Sequence, residues 1–159
     1  MKTKEKKSEA ISTSEVVVPQ DLNHYGSLFG GKLLSWMDKT AYFASASFCG
    51  FPCVTVSIES LDFKLSLKNG DVLKLIARVI FSGRTSMVVK VDVYKNDIFG
   101  ANRDFLANSG FFTFVALDKK GKPQVVPSLI IDNDDDQMLF EKGRQVKENA
   151  IKRRHANKL

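Results

Sequence analysis

Residues 21–40, DLNHYGSLFGGKLLSWMDKT, hold the side chains whose types and spacing best suit chemistry. Gly26, Gly30 and Gly31 lie where a loop enters a helical pattern, so free backbone N–H groups there point out of the helix end and could hold an oxyanion. Asp38, eight residues past Gly30, falls two turns into the helix, about 100° round from the centre of its apolar stripe. That places it on the edge of the buried face. Its neighbours at three and four residues are Leu34, Ser35, Ala41 and Tyr42, none of them a cation. Two readings of Asp38 are open. One is a partly exposed carboxylate on a helix flank; the other is a carboxylate held in a cleft, basic enough through partial desolvation to activate water or attack an acyl carbon. Asn23, on the same loop, has the ordinary reading of a turn former.

Other chemistry is scarce. Cys49 and Cys53, with Gly50 and Pro52 between them, read as reduced thiols, because a zinc site needs about four ligands and the only histidines are His24 and His155. A Ser/His/Asp or Cys/His catalyst would have to use one of those two histidines, and no GxSxG elbow presents a serine. No metal and no cofactor are expected.

The whole chain sets the frame for these residues. Its 159 residues, 43% hydrophobic and 26% charged, suit one globular domain with a core of its own. No apolar run approaches the roughly 18 residues of a membrane span, and the Lys-rich start lacks a signal peptide's apolar stretch, so the expectation is a cytoplasmic protein with no membrane partner. The net charge of +6 divides into +1 over residues 1–15, +4 over 16–131, −4 over 132–136 and +5 over 137–159. Nucleic-acid binding through residues 142–158 would rest on charge alone, without interleaved aromatics, so Lys152, Arg153 and Arg154 read as a solvated helix end and no nucleic-acid partner is expected. Positive charge on the body suits a phosphate-bearing partner, including a nucleotide-tailed metabolite.

The elements that must position the candidate residues follow from periodicity. Residues 1–13 are charged and poor in large apolar groups, which predicts a disordered arm. Val16–Val18 before Pro19 predicts a short strand. Leu33, Met37, Ala41, Ala44 and Phe48 trace one apolar stripe of a helix that Gly50 and Pro52 end. Val54, Val56 and Ile58 then alternate, and Leu61, Phe63, Leu65 and Leu67 alternate in the opposite parity, implying a bulge near Glu59 and Ser60. Asn69-Gly70 turns into a strand through Leu73, Leu75, Ala77, Val79 and Phe81; Gly83 turns into another through Met87, Val89, Val91 and Val93. A polar loop over 95–109 precedes Phe111–Leu117, apolar on both faces and so expected at the centre of the sheet. The order predicts an α+β domain over 14–131: an antiparallel sheet curled round one long helix. The acidic run 132–136 links it to a basic helix over 137–154.

With these motifs in hand, the sequence resembles the acyl-CoA thioesterases of the hotdog fold, of the acyl-CoA hydrolase type. The resemblance runs from about Val16 to Pro127 and includes VVVPQDLNHYGSLFGGKLLSWMDK, VTVSIESLDF, NGDVL, GRTSMVVKVDV and FFTFVALD. It implies a helix wrapped by an antiparallel sheet, homo-oligomers built as dimers or trimers of dimers, active sites at the dimer interface, and hydrolysis of acyl-CoA to free acid and CoA. The family pattern NxxGxxxGGxxxxxxD places its carboxylate on Asp38, its loop asparagine on Asn23 and its helix-entry glycines on Gly30 and Gly31. The GRTS turn falls on Gly83, Arg84, Thr85 and Ser86 and is associated with the CoA portion. Leu65-Ser66-Leu67 and Ser27 depart from the pattern, which leaves the acyl preference open.

The implied mechanism has the thioester oxygen polarised by the N–H of Gly30 or Gly31, worth about 3 kcal/mol per well-aimed donor. Asp38 activates water or attacks directly to give a mixed anhydride, and Asn23 orients the water or the carboxylate. Arg84, Thr85, Ser86 and Thr55 are the expected substrate-binding residues. Each also has a plain reading: Arg84 as an exposed hairpin residue, Thr85 and Ser86 as strand starters, Thr55 as filler of a pleat position. The alternative function is a non-catalytic acyl-CoA-binding or regulatory hotdog protein.

Overall fold

A computed structural model describes residues 4–100 and 103–158 of the chain. Its strands are β1 (Glu5–Lys6), β2 (Ile11–Val16), β3 (Cys53–Phe63), β4 (Val72–Ser82), β5 (Ser86–Asn96), β6 (Asp104–Ala116) and β7 (Ser128–Leu129); its helices are α1 (Gly30–Cys49) and α2 (Asp134–Ala156). β2 to β6 form one antiparallel sheet in the order β2-β4-β5-β6-β3. The sheet curls round α1. Among the described residues no helix is long and apolar enough to cross a membrane.

α1 forms where the apolar stripe requires it. Leu33, Met37, Ala41, Ala44 and Phe48 are all buried, and Trp36, Thr40, Ser45 and Cys49 widen the stripe into a face. Thr40 tolerates its burial because its hydroxyl donates to the carbonyl of Trp36, 2.8 Å away, and meets the Thr13 hydroxyl at 2.7 Å. Gly50 closes the helix at φ 77°, a left-handed conformation that favours glycine, and its N–H reaches the carbonyl of Ala46. The inner sheet face packs on this helix through Leu73, Leu75, Ala77 and Val79 of β4, Met87, Val89, Val91 and Val93 of β5, and Phe112, Phe114 and Ala116 of β6.

Bulges decide which side chains face which way. β3 slips register twice, between Thr55 and Ser57 and again between Glu59 and Asp62, where Ser60 takes φ 53°. The second slip lies at the expected bulge. The first corrects the simple alternation, because Val54 pairs with Val115 whereas Ile58 pairs with Phe112, so the two occupy opposite faces. A slip between Val79 and Phe81 likewise turns Phe81 to the outer face, where its ring lies 5.0 Å from that of Phe140.

Further expectations are corrected. The segment 1–13 is not a disordered arm over its described part: β1 pairs in parallel with β7, and the first main strand spans Ile11–Val16 rather than Val16–Val18. Main-chain pairing along β4 and the Thr13–Thr40 bond supply what large apolar side chains do not. Residues 1–3 lie outside the described residues. The polar stretch before Phe111 is strand from Asp104, because it completes the long β5–β6 ladder. β6 is interior but β5 holds the centre. Finally, the acidic run is not wholly a linker, since α2 already begins at Asp134. α2 docks on the outer sheet face, burying Val146 and Ala150, with Ile80, Val88 and Phe111 forming the sheet side of that contact. Burying one such valine contributes about 1.5–3 kcal/mol.

Candidate active site

The loop that leads into α1 is held by two side chains. The buried carboxylate of Asp21 accepts from the N–H of Val18 at 3.1 Å and lies 3.6 Å from the ammonium of Lys32, while its backbone carbonyl accepts from the N–H of Phe29. The side-chain carbonyl of Asn23 accepts from the N–H groups of Tyr25 and Ser27, at 2.9 and 3.1 Å, closing a turn whose Gly26 sits at φ 76°. Asn23 thus has its turn-forming role. It makes no hydrogen bond with Asp38 among the described residues.

At the helix entry the first amides to engage carbonyl partners are those of Lys32 and Leu33, both with Phe29. The N–H groups of Gly30 and Gly31 donate to no described residue, and the first turn carries no acidic side chain to offset its positive end. The glycines have a further reason to be glycines. A side-chain carbon at Gly30 would meet the ring of Phe63 at 3.4 Å, and one at Gly31 would come within 2.6 Å of the Phe29 ring. Two aromatic rings therefore close over the helix entry. Beside them opens a pocket of about 270 Å³ lined by Ser27, Leu28, Leu33, Phe63, Leu65 and Leu67.

Asp38 is half-buried, and no Lys, Arg or His of the described residues forms an ion pair with it. The hydroxyl of Thr55 donates to its Oδ1 at 2.7 Å. Thr55 reaches it because its register partner is Phe114, an inner-face residue, so the pleat turns the threonine towards α1. One carboxylate oxygen is held, and the group carries no counter-cation. Such an arrangement can take a proton from water or serve as a nucleophile.

The remaining candidates gather elsewhere. Gly83, Arg84, Thr85 and Ser86 form the β4–β5 turn; Arg84 is exposed, and Ser86 is buried on the outer face, where it accepts a hydrogen bond from Lys147. The fold therefore joins Asp38 with Thr55 and separates both from the GRTS turn by the sheet. His24 lies tilted against Tyr25 in the exposed loop and His155 stands in the last turn of α2 in solvent, so neither is set against a nucleophile. Cys49 and Cys53 are free, buried and 3.4 Å apart. The hydrogen bond between them holds the Cys49 thiol down at about 7 and pushes that of Cys53 up. No group of three or more His, Cys, Asp or Glu among the described residues is placed to hold a metal ion.

Asp21 and the Thr55–Asp38 bond escape sequence reasoning for different reasons. The Asp21 contacts are local, and an aspartate three residues after Val18 is the readable signal. The Thr55 bond joins a helix to a strand across 17 residues, which no spacing rule reports.

Comparison with known proteins supplies the context. The family model described as the thioesterase superfamily matches residues 25–98. The chain is 37% identical over 155 residues to the uncharacterized acyl-CoA thioester hydrolase YkhA of Bacillus subtilis, covering 97% of this chain and 89% of that one. It spans only 35–39% of the mammalian cytosolic acyl coenzyme A thioester hydrolases it matches. It superposes with a TM-score of 0.89 and 34% identity on the Staphylococcus aureus acyl-CoA hydrolase solved with butyryl coenzyme A, coenzyme A and coenzyme A disulfide, over 97% of this chain and 94% of that one. That hydrolase has also been solved with alanine replacing an asparagine, an aspartate or a threonine; the three lie fifteen and then seventeen positions apart. An apo-hexameric acyl-CoA thioesterase matches with a TM-score of 0.86 and 36% identity, over 94% of this chain and 97% of that one.

Proposed function

The chain belongs to the acyl-CoA hydrolases of the thioesterase superfamily, and on that premise we propose that Asp38 carries the hydrolysis of acyl-CoA thioesters to free carboxylic acid and CoA. The observation that carries this reading is a half-buried carboxylate with no cationic partner among the described residues, fixed by Thr55, on a helix whose first amides are unpaired. The spacing of the three residues replaced by alanine in the Staphylococcus aureus hydrolase equals the spacing of Asn23, Asp38 and Thr55, which supports treating these as one working set.

In the proposed reaction the acyl carbonyl lies against the N–H groups of Gly30 and Gly31, which stabilise the oxyanion. Asp38 removes a proton from water as the water oxygen bonds to the acyl carbon, or bonds to it directly and gives an anhydride that water then cleaves. The carbon–sulfur bond breaks and CoA leaves as thiolate. A simple thiol has a pKa of about 8.5, so the leaving group needs little protonation and no histidine. Thr55 holds the carboxylate, and Asn23 orients the water. The apolar pocket between Leu28, Phe63 and Leu67 receives the acyl chain, and the exposed guanidinium of Arg84 receives a CoA phosphate.

The active unit is a homo-oligomer. β3 is an eleven-residue edge strand with Val54 and Val56 exposed at 44% and 36%, a surface suited to pairing with the same strand of a second copy. Asn23, which does not reach Asp38 in its own chain, serves the crevice that two copies build. The test is a panel of acyl-CoAs of rising chain length, with released thiol read by a chromogenic reagent. Turnover on at least one chain length is expected; CoA binding without thiol release would instead identify a non-catalytic acyl-CoA-binding protein.

A further inference from the structure

α1 ends on a cysteine and β3 begins on one. Cys49 is the last residue of the helix, Cys53 the first of the strand, and their sulfurs lie 3.4 Å apart. We propose that Cys49 and Cys53 form a redox-modification site, a dithiol that a hydroperoxide closes to a reversible disulfide while the protein stays folded. A disulfide asks the two sulfurs to approach by only about 1.4 Å more, to the ordinary bond length of about 2.0 Å. The loop between them already folds back on the pair, since both sulfurs lie within 3.5 Å of the Phe51 carbonyl oxygen. Gly50 makes that reversal possible at φ 77°, and nothing lies within 4 Å of the place where its side chain would stand. Gly50, Phe51 and Pro52 are exposed, and each cysteine keeps 7% of its own surface open. A small oxidant such as hydrogen peroxide can reach the pair.

The two thiols are not equivalent, and the difference assigns their parts. The hydrogen bond with Cys53 and the charge of Lys6 hold the Cys49 thiol at about 7, while the same bond and burial push that of Cys53 up. Lys6 comes to this end of α1 because its ammonium donates to the carbonyl of Ser47 at 2.8 Å, where the helix dipole is negative and attracts a cation. Without that ammonium the helix end would oppose a thiolate at Cys49. Cys49 is therefore the attacking group. Its thiolate sulfur bonds to one oxygen of the hydroperoxide and the O–O bond breaks. The other oxygen leaves and takes up the proton that Cys49 gave, becoming water or an alcohol. The sulfur of Cys53 then bonds to that of the Cys49 sulfenic acid, whose hydroxyl leaves as water with the Cys53 proton. The two sulfurs supply the two electrons that reduce the peroxide, and a thiol reductant reverses the bond. The disulfide would tie together α1 and β3, the elements that carry Asp38 and Thr55.

The test exposes the full chain, reduced and then freed of reductant, to hydrogen peroxide at neutral pH without denaturant. The intact mass should fall by about 2 Da as two hydrogens leave, no thiol should remain titratable, and peptide mapping should join Cys49 to Cys53; dithiothreitol should restore the starting mass. Cys53→Ser should stop at a Cys49 sulfenic acid that a cyclic 1,3-dione traps. Cys49→Ser should leave a thiol that reacts about tenfold more slowly than the wild-type pair, and Lys6→Gln should slow closure several-fold. Thiols that stay titratable after peroxide, a disulfide that forms only in the unfolded chain, or one that joins two chains overturns the proposal. The wild-type mass alone decides this if the serine variants fail to fold. None of these readouts involves a thioester, so the result stands apart from that of the function proposed above.

Discussion

At the residue scale the working pair is Asp38 and Thr55. Replacing Asp38 by Asn keeps shape and hydrogen bonding with Thr55 but removes the basic oxygen. Turnover should fall at least about 10²-fold, the ordinary contribution of a positioned base. The melting temperature should stay close to wild type, and unchanged turnover would take Asp38 out of the mechanism. Thr55 touches the carboxylate rather than the substrate-binding turn, so its loss should act on rate. A hydrogen bond to a charged group contributes about 1.5–3 kcal/mol, and Thr55→Ala should therefore lower kcat about 10- to 100-fold with little change in KM. Thr55→Ser restores the hydroxyl and should restore most of kcat. A rise in KM with kcat intact would return Thr55 to the substrate-binding role expected from sequence.

At the element scale α2 is the piece whose attachment is most testable. Its side-chain cap is Asn133, whose carbonyl oxygen accepts from the N–H of Asp136 at 2.8 Å, and three aspartates follow in the first turn while Arg153, Arg154 and His155 stand in the last. Each end thus matches the helix dipole. Asn133→Ala should cost about 1 kcal/mol, a drop of about 2–4 °C in melting temperature for a domain of this size. Gly143 marks the closest approach of α2 to the sheet: an added Cβ would stand 2.6 Å from the Cβ of Phe81. Alanine in a helix gains about 1 kcal/mol over glycine, whereas overpacking a filled contact costs about 1–3 kcal/mol. Gly143→Ala should therefore lower the melting temperature; a rise would show that α2 yields at that contact.

At the scale of the whole molecule, the uncovered edge of β3 and exposed Tyr25, Phe29 and Phe63 leave one copy with apolar surface to cover. Light scattering should find an oligomer, and the melting temperature should rise with protein concentration as mass action requires. A monomer with a concentration-independent melt would remove the shared crevice. Much of this molecule was legible in its sequence, because helix and strand are local consequences of period: the steps of Leu33, Met37, Ala41, Ala44 and Phe48 predict α1, and the spacing of Leu73 to Val79 and Met87 to Val93 predicts the inner face of β4 and β5. The glycines at 30 and 31 and the carboxylate at 38 were legible for the same reason, being set by one loop and one helix. The bulge near Glu59 and Ser60 showed as a change of parity, but those at Val56 and Ile80 did not, because one extra residue leaves composition intact and no long alternation follows it to reveal the reversal. Nor was order legible in residues 5–16, whose stability comes from backbone pairing with distant strands. The Thr55–Asp38 bond brings together residues far apart in the chain, and only the packing of sheet against α1 decided it.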